Sequence, residues 1–141
     1  MFLARALRLK GIHVVGVGDR GPDVAKYNMK LVGWDEAGYS ASKLGDAAQS
    51  GATFVGDNWE ALVAHPDIEI IIECTGNPMA AVTHCLKAFE HGKHIINVTV
   101  EADSFCGPGL ADKAREAGVI YSIAYGDQPA LPCYLVDLLL S

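Results

Sequence analysis

The chain has 141 residues, of which half are hydrophobic and a fifth are charged, a composition typical of a single globular domain. Its formal net charge is −6 and it has no basic cluster, which argues against nucleic acid as a partner, because binding to a phosphate backbone depends on clustered lysine and arginine. The longest apolar runs are a few residues, far below the roughly 20 that a membrane-spanning helix needs. We therefore expect a globular protein without a membrane partner.

The N-terminal segment and the cysteines indicate the compartment. Arg5, Arg8 and Lys10 interrupt the first apolar segment, whereas a secretory signal keeps an unbroken hydrophobic stretch. The four cysteines form no Cys-x-x-Cys pair, which favours reduced intracellular thiols over a disulfide framework or a zinc site. We therefore predict a cytoplasmic protein without a metal site.

The first fifty residues predict few regular elements. Residues 1–10 have the pattern of a helix that ends at Gly11, and residues 12–18 are apolar enough to form a strand. Between residues 22 and 50 only the segment 42–49 is predicted to be helical, and the remainder is predicted to be an irregular connection. The chain is therefore expected to open on a helix rather than on a strand.

From residue 50 onward, short β-branched segments alternate with helical segments. This alternation predicts βαβ units, and hence an α/β fold with a doubly wound parallel sheet that helices cover on both faces. The predicted strands are residues 53–55, 68–74, 94–99 and 119–124, and the predicted helices are residues 58–64, 78–91, 108–117 and a last one after Pro129.

Residues 16–21 read Gly-Val-Gly-Asp-Arg-Gly and fit the glycine-rich pattern of a dinucleotide phosphate-binding turn. Two properties argue against that interpretation, because the carboxylate of Asp19 would face an anion and Pro22 would disturb the start of the following helix. We favour the alternative that residues 12–18 form the second strand of a Rossmann-like domain. Asp19 then lies at the carboxyl end of that strand and accepts hydrogen bonds from the adenosine ribose hydroxyls. A solvated turn at residues 19–23 stays open as the simpler explanation.

This placement implies that the first strand and its glycine-rich turn lie upstream of the chain. In the strand order 3-2-1-4-5-6 the first strand is central, and burial of about five residues there contributes about 10 kcal/mol. We therefore expect the sheet to lack its first strand and the segment alone to be poorly folded. Arg20 directly follows Asp19. The carboxylate favours NAD and the guanidinium favours the extra phosphate of NADP, so either cofactor is expected, with a slight preference for NAD.

Four segments together resemble a known family; they are residues 73–78 (Glu-Cys-Thr-Gly-Asn-Pro), 92–96 (Gly-Lys-His-Ile-Ile), 100–103 (Val-Glu-Ala-Asp) and 126–129 (Gly-Asp-Gln-Pro). The chain resembles the homoserine dehydrogenase-like NAD(P)-dependent oxidoreductases, most closely the branch of deoxyxylulose-phosphate reductoisomerase-like enzymes, which often carry a C-terminal SAF domain. Members of the family are longer and contain a catalytic region after the dinucleotide-binding domain. The resemblance implies that the chain is a partial NAD(P)-binding domain, inactive by itself, and that any homo-oligomer forms through the C-terminal domain that it lacks.

The resemblance also implies which residues bind the cofactor. The turn formed by Thr75, Gly76, Asn77 and Pro78 is implied to contact the nicotinamide half, and the glycine lets a ligand approach the backbone closely. An ordinary strand-to-helix turn stays open as the alternative. Thr99, at the end of the next predicted strand, is a further candidate for cofactor binding.

Glu101 and Asp127 are the candidates on the substrate side. Glu101 lies in the region where wider relatives carry a lysine, and no lysine is present there, which argues against homoserine dehydrogenase activity itself. A carboxylate in this place can act as a general acid or base, or bind a polar group of the substrate. Asp127 follows the last predicted strand. Both acids also have a simpler explanation, as residues that cap or begin a helix.

The favoured function is that of an oxidoreductase, with hydride transfer between nicotinamide and a small carbonyl or hydroxyl substrate. The cofactor supplies the chemistry and the ends of the strands supply the geometry. The alternative is a non-catalytic module that senses a bound dinucleotide. The five histidines show no metal-ligand spacing and no partner in the sequence, so we assign them to structural or exposed positions.

Overall fold

The computed structural model describes residues 2–124 and 130–140. The chain divides into two compact units, residues 1–69 and residues 70–141, and each unit is described by itself. The helices and strands of the described residues are, in chain order, α1 (Phe2–Ala6), β1 (Gly16–Gly18), α2 (Pro22–Leu31), a 3-10 helix (Ala37–Tyr39), α3 (Leu44–Ser50), β2 (Phe54–Gly56), α4 (Trp59–Ala64), β3 (Ile70–Glu73), α5 (Pro78–Glu90), β4 (His94–Asn97), α6 (Val100–Glu116), β5 (Tyr121–Ile123) and α7 (Ala130–Leu140).

A two-stranded parallel sheet organises the first unit, in which β1 pairs with β2 along its whole length. A hydrophobic core cluster of this unit is formed by Ala25 and Met29 of α2 together with Val55 of β2. Ala25 and Met29 are four residues apart, so they lie on one face of the helix and are buried together. Trp34 and Tyr39 pack against this core from the chain that follows the helix.

The prediction of an irregular connection after Pro22 is wrong in its first part, because residues 22–31 form α2. Pro22 takes the first position of the helix, where no intrahelical partner exists for the N–H that proline lacks. The expectation that Pro22 disturbs the start of a helix here is therefore wrong. Asp23 lies in the first turn, where the helix dipole favours an acid. Burial of one helix face outweighs the mixed composition of this segment. The second part agrees better, since α3 at Leu44–Ser50 nearly coincides with the predicted segment 42–49.

The first helix and the first strand are both shorter than predicted. α1 has five residues rather than ten, because the N–H groups of Arg8 and Leu9 bond to carbonyls three residues back, at 2.8 and 3.2 Å, and tighten the chain into turns. Of the predicted strand 12–18 only the last three residues form β1. The pairing nevertheless reaches further, since Phe54 N–H donates to the carbonyl of Val15 at 3.0 Å.

The second unit is built on a three-stranded parallel sheet in the order β3-β4-β5. α5 and α6 pack against each other and against the strands. This arrangement confirms the predicted α/β class with parallel strands. Among the residues of this unit whose burial the structure describes, the buried apolar side chains lie on the two helices and on the central strand; they are Ala81, Cys85, Ala88, Phe89, Ile95, Ala102, Leu110 and Ala114.

α6 begins at Val100, whereas the sequence predicted its start at Pro108. The prediction was wrong because proline favours the first turn of a helix, and here it stands inside one. An interior proline usually costs about 3 kcal/mol, so packing of α6 against the rest of the unit must outweigh that cost. Glu101 and Asp103 lie in the first turn, where the helix dipole favours acids.

The pairing of the strands agrees with the placement of β1 as a second strand. In the order 3-2-1-4-5-6, strands 2 and 3 are neighbours, and strands 4, 5 and 6 form a second set of neighbours. The pair β1-β2 and the triplet β3-β4-β5 match these two sets. A further strand upstream of the chain stays a prediction.

The last helix, which was predicted to follow Pro129, is α7 at Ala130–Leu140. The segment 126–129, and with it the candidate Asp127, lies outside the described residues. Among the helices that the structure describes, none combines the length and the apolar character needed to cross a membrane.

Candidate functional site

The strands of the second unit end level with one another at their carboxyl edge. In the parallel register Glu73 lies opposite Asn97, and Asn97 lies opposite Ile123. The ladder continues past both strand ends, because Val98 N–H donates to the Glu73 carbonyl at 2.7 Å and Ala124 N–H donates to the Asn97 carbonyl at 2.8 Å. The segments that leave β3 and β4 therefore emerge side by side, which is the edge where doubly wound folds bind ligands.

The Glu73 carboxylate is the centre of a buried polar cluster at this edge. Glu73 is only 2% exposed. Its Oε1 atom accepts hydrogen bonds from the Thr75 hydroxyl at 2.7 Å and from the Thr75 backbone N–H at 3.3 Å. Its Oε2 atom accepts a short hydrogen bond from the Thr99 hydroxyl. A buried carboxylate is stable only when it is well paired, and here the partners come from the two neighbouring loops.

His84 of α5 completes this cluster. Its Nδ1 atom lies 3.2 Å from Glu73 Oε1, and the imidazole side chain is 16% exposed. An ionised carboxylate can only accept hydrogen bonds, so the Nδ1 atom carries the proton in this contact. The sequence showed no partner for His84, and the structure corrects this by pairing it with an acid eleven residues earlier.

A hydrogen bond joins Gly76 and Thr99, which are both predicted cofactor residues. The Thr99 hydroxyl accepts a hydrogen bond from the backbone N–H of Gly76 at 3.1 Å while it donates to Glu73. Thr99 itself is 2% exposed, so in this structure its hydroxyl is occupied by protein groups. Thr99 is therefore a buried residue that holds the backbone of the turn through this hydrogen bond, whereas the turn itself is exposed to solvent.

The turn of residues 75–78 is exposed throughout. Gly76 has a φ of +68°, a conformation that favours glycine, and a side chain added there would meet no atom within 4 Å. Asn77 caps α5 through its side-chain oxygen, which accepts from Ala80 N–H at 3.0 Å, and Pro78 takes the first helical position. The space next to Gly76 is open, so a ligand can approach the backbone of the turn closely.

Asn97, Tyr121 and Asp103 form a second polar cluster in the second unit. Asn97 is fully buried; its side-chain oxygen accepts from Thr99 N–H at 3.0 Å, and its amide group donates to the Thr99 carbonyl at 3.2 Å and to the Tyr121 hydroxyl at 3.0 Å. The Tyr121 hydroxyl donates in turn to Asp103 at 2.9 Å. Burial raises the pKa of Tyr121, and the hydrogen bond to Asp103 acts in the same direction. Tyr121 is therefore a neutral donor that links β5 to α6.

Gly107 makes the position of Asp103 possible. Gly107 is buried one turn after Asp103 on α6, and a Cβ atom added to it would lie 2.7 Å from Asp103 Oδ1. A side chain at position 107 would therefore displace the Asp103 carboxylate from its position beside the Tyr121 hydroxyl. Glu101, by contrast, is exposed in the first turn of α6, which agrees with either a substrate-facing or a helix-start role.

Asp19 follows β1 directly, as the sequence predicted. Its backbone N–H donates to the Gly56 carbonyl at 2.9 Å and so extends the pairing of β1 with β2. Its side-chain Oδ1 atom accepts from Gly21 N–H at 2.8 Å, which also matches the simpler explanation of a turn. Asp19 and Arg20 are both exposed. The structure therefore places the predicted ribose-binding acid at an accessible strand end of the first unit.

The structure brings four polar side chains into these clusters that the sequence did not single out. Glu73 belonged to a recognised segment but was given no role, and its only signal was a lone acid at the end of the apolar strand β3. His84, Asn97 and Tyr121 carried no local signal, because each acts through a contact with another element. Within residues 2–124 and 130–140, no three His, Cys, Asp or Glu side chains come together in a way that could hold a metal ion.

The four cysteines are thiols outside any disulfide and differ in exposure, with Cys74 and Cys133 exposed, Cys106 half-buried and Cys85 buried. Burial, together with the nearby charges of Glu73 and Asp103, raises the pKa of the Cys85 thiol from 9.0 to about 12. Since the reactive form is the thiolate, the folded chain keeps Cys85 unreactive.

Labelling of the native protein with a thiol reagent at about pH 8 is expected to modify Cys74 and Cys133 quickly and to leave Cys85 intact until denaturant is added. The unfolded chain ionises Cys85 near pH 9.0, whereas the folded chain holds the proton up to about pH 12. The contribution of Cys85 to stability is therefore complete below pH 9.0 and is lost as the pH rises toward 12. Mass spectrometry of the labelled peptides checks the pattern, and early modification of Cys85 would contradict its burial.

Comparison with known proteins identifies the family. Residues 3–124 match the homoserine dehydrogenase NAD-binding domain. A homoserine dehydrogenase of Pseudomonas aeruginosa is 30% identical over 88 residues, which cover 62% of this chain and 20% of that protein. The resemblance drawn from the sequence is confirmed at this level, and the match supports NAD(P) as the cofactor, while the reductoisomerase-like branch stays a prediction. The chain belongs to the family of homoserine dehydrogenase NAD-binding domains.

Proposed function

We propose that the chain is the NAD(P)-binding part of an oxidoreductase that transfers hydride between nicotinamide and a small carbonyl or hydroxyl substrate. The bound dinucleotide would supply the hydride chemistry, and the chain would bind and orient it. The observation that carries this proposal is the exposed turn of residues 75–78, held at the carboxyl edge of a parallel sheet by the buried Glu73 carboxylate. Ligands of doubly wound folds bind outside that edge.

Within the second unit, we assign Thr75, Gly76, Asn77 and Pro78 to the nicotinamide half of the cofactor. Support comes from the open space above Gly76 and from the exposure of all four residues. The Asn77 side chain caps α5, so its contribution to binding would come mainly from its backbone. Thr99 supports this turn through the Gly76 N–H group.

Within the first unit, we assign Asp19 to the ribose of the adenosine half. An exposed carboxylate at the end of a parallel strand is suited to accept two hydroxyl hydrogen bonds. Arg20 is also exposed and would meet the extra phosphate of NADP, so the two side chains act on cofactor choice in opposite directions. The acid next to the strand favours NAD.

The substrate side is proposed to include Glu101 and Asp127. Glu101 is exposed in the first turn of α6, close in sequence to the Thr99 support of the turn. A carboxylate there would bind a polar group of the substrate or move a proton. The lack of a lysine in this segment favours a reductoisomerase-like or otherwise divergent reaction over that of homoserine dehydrogenase.

Replacement of Asp19 by alanine is expected to weaken NADH binding about ten- to hundredfold, because hydrogen bonds to charged groups contribute about 1.5–3 kcal/mol. The protein expressed from its complete open reading frame is titrated separately with NADH and NADPH, and binding is followed by protein fluorescence. The matched control is Asp23→Ala, which removes another exposed acid four residues later and should leave the affinity unchanged. Equal affinities in the wild type and the Asp19 variant would refute the ribose assignment, and a lack of saturable binding to either dinucleotide would refute the oxidoreductase proposal.

A further inference from the structure

Two threonine hydroxyl groups donate hydrogen bonds to the Glu73 carboxylate. The Thr75 hydroxyl donates to Oε1 and the Thr99 hydroxyl donates to Oε2. An ionised carboxylate offers only acceptors, and each hydroxyl has a single proton to give. His84 and the Thr75 backbone N–H also donate to Oε1, and this set of donors suits the ionised carboxylate. Neither threonine hydroxyl can therefore donate to a third group.

The two hydroxyls differ in what they offer to a ligand. Thr99 is buried, and its oxygen already accepts from Gly76 N–H. Thr75 is exposed, and its oxygen accepts only a long contact of 3.4 Å from Asn77 N–H. A hydroxyl oxygen has two lone pairs, so Thr75 presents acceptor capacity at the surface of the turn. An incoming group meets an acceptor there and not a donor.

We propose that Glu73 is a positioning residue that fixes the Thr75 hydroxyl as a hydrogen-bond acceptor, so that the turn selects a ligand group that donates. This inference rests on the proposed function, in which the turn meets the nicotinamide half of the cofactor. The donor on that half is the carboxamide NH₂ group. A nicotinamide analogue that lacks the NH₂ group cannot donate to the Thr75 hydroxyl oxygen, and the loss of this hydrogen bond lowers its affinity.

The direct test compares NADH with reduced 3-acetylpyridine adenine dinucleotide, in which a methyl group replaces the carboxamide NH₂. Isothermal titration calorimetry of the protein from its complete open reading frame measures both dissociation constants, with the phosphorylated pair used if NADPH is the form that binds. The wild type is expected to bind the acetylpyridine compound about tenfold more weakly, the effect of one neutral hydrogen bond. Equal affinities would overturn the inference.

Variants of Thr75 show whether its hydroxyl is the acceptor. Thr75→Val keeps the shape of the exposed side chain without the hydroxyl. This variant should bind NADH more weakly than the wild type does and should bind the acetylpyridine compound as the wild type does, so that the two affinities become equal. Thr75→Ser retains the hydroxyl and should restore most of the tenfold preference. A Thr75→Val protein that still prefers NADH by the wild-type ratio would overturn the inference.

Glu73→Leu tests the positioning role itself. Leucine offers no acceptor to the Thr75 hydroxyl, so the Thr75 proton becomes free to point outward and the turn can donate as well as accept. The preference for NADH should then shrink by several-fold, while circular dichroism reports on folding. An unchanged ratio in a folded Glu73→Leu protein would overturn the inference. If this variant does not fold, the Thr75→Val and Thr75→Ser pair decides by the same ratio.

The outcome for this inference is separate from that for the proposed function. Binding of neither NADH nor NADPH to the wild-type protein would remove the proposed function and the inference together. Binding of NADH and its acetylpyridine analogue with equal affinity would remove only the inference and would leave the dinucleotide-binding function in place.

Discussion

Replacement of Glu73 by leucine is expected to lower the free energy of unfolding by about 3–5 kcal/mol, because several donors lose a buried acceptor at a cost of about 1–3 kcal/mol each. The substitution leaves the hydroxyls of Thr75 and Thr99 and the Nδ1 atom of His84 without their shared acceptor. Glu73→Gln keeps the shape of the side chain but has one acceptor oxygen, so a smaller loss of about 1–3 kcal/mol is expected. Chemical denaturation followed by far-ultraviolet circular dichroism measures both values.

The matched control for these variants is Glu69→Gln, which neutralises an exposed acid four residues earlier. Surface substitutions of this kind usually change stability by no more than about 0.5 kcal/mol. A Glu73→Leu protein with the denaturation midpoint of the control would show that the carboxylate does not hold the two loops together.

Asn97→Asp is expected to destabilise the protein by about 3 kcal/mol or more at neutral pH, because it places an uncompensated charge in the core. The change also sets a carboxylate oxygen against the Thr99 carbonyl, to which the amide group donates in the wild type. Burial raises the pKa of the introduced carboxyl group. The protonated carboxyl group can donate to the Thr99 carbonyl again. The loss of stability is therefore complete above the raised pKa and becomes smaller as the pH falls through that pKa.

The control for this substitution is Asn58→Asp. Asn58 is exposed and caps α4 by accepting a hydrogen bond from Ala61 N–H at 3.0 Å. Aspartate caps a helix as well as asparagine does, so this variant should keep the stability of the wild type at neutral pH. Denaturation midpoints of both variants, measured from neutral to acid pH, check the prediction. A deficit for Asn97→Asp that does not change with pH would contradict the protonation argument.

Much of the second unit could be predicted from its sequence because the segments there are strongly patterned. The run of isoleucines at 70–72 and the apolar face of α5 give clear strand and helix signals. α2 gave no such signal, since its composition is mixed and its stability depends on burial of Met29 against another element. The start of α6 was misplaced because Pro108 stands inside the helix, where a local rule predicts a boundary.

The candidate site could be predicted only where its residues are adjacent in the chain. Residues 75–78 form one turn, and the recognised segment therefore brought them together correctly. The partners of Glu73 lie up to 26 positions away, and their proximity follows from the parallel register and not from any local pattern. Thr99 was assigned to the cofactor from its strand end, whereas its depth below the turn is a property of packing.

In the second unit, the pairing of the sheet is carried by the strands, whereas the exposed groups at its carboxyl edge lie on the connections that follow them. The backbone ladder that joins Glu73, Asn97 and Ile123 is complete before the chain turns away from the sheet. Loops beyond such a ladder tolerate insertions and replacements more readily than the strands themselves. Related proteins can therefore vary these short connections, and with them the groups presented at this edge, while the strands keep the same pairing.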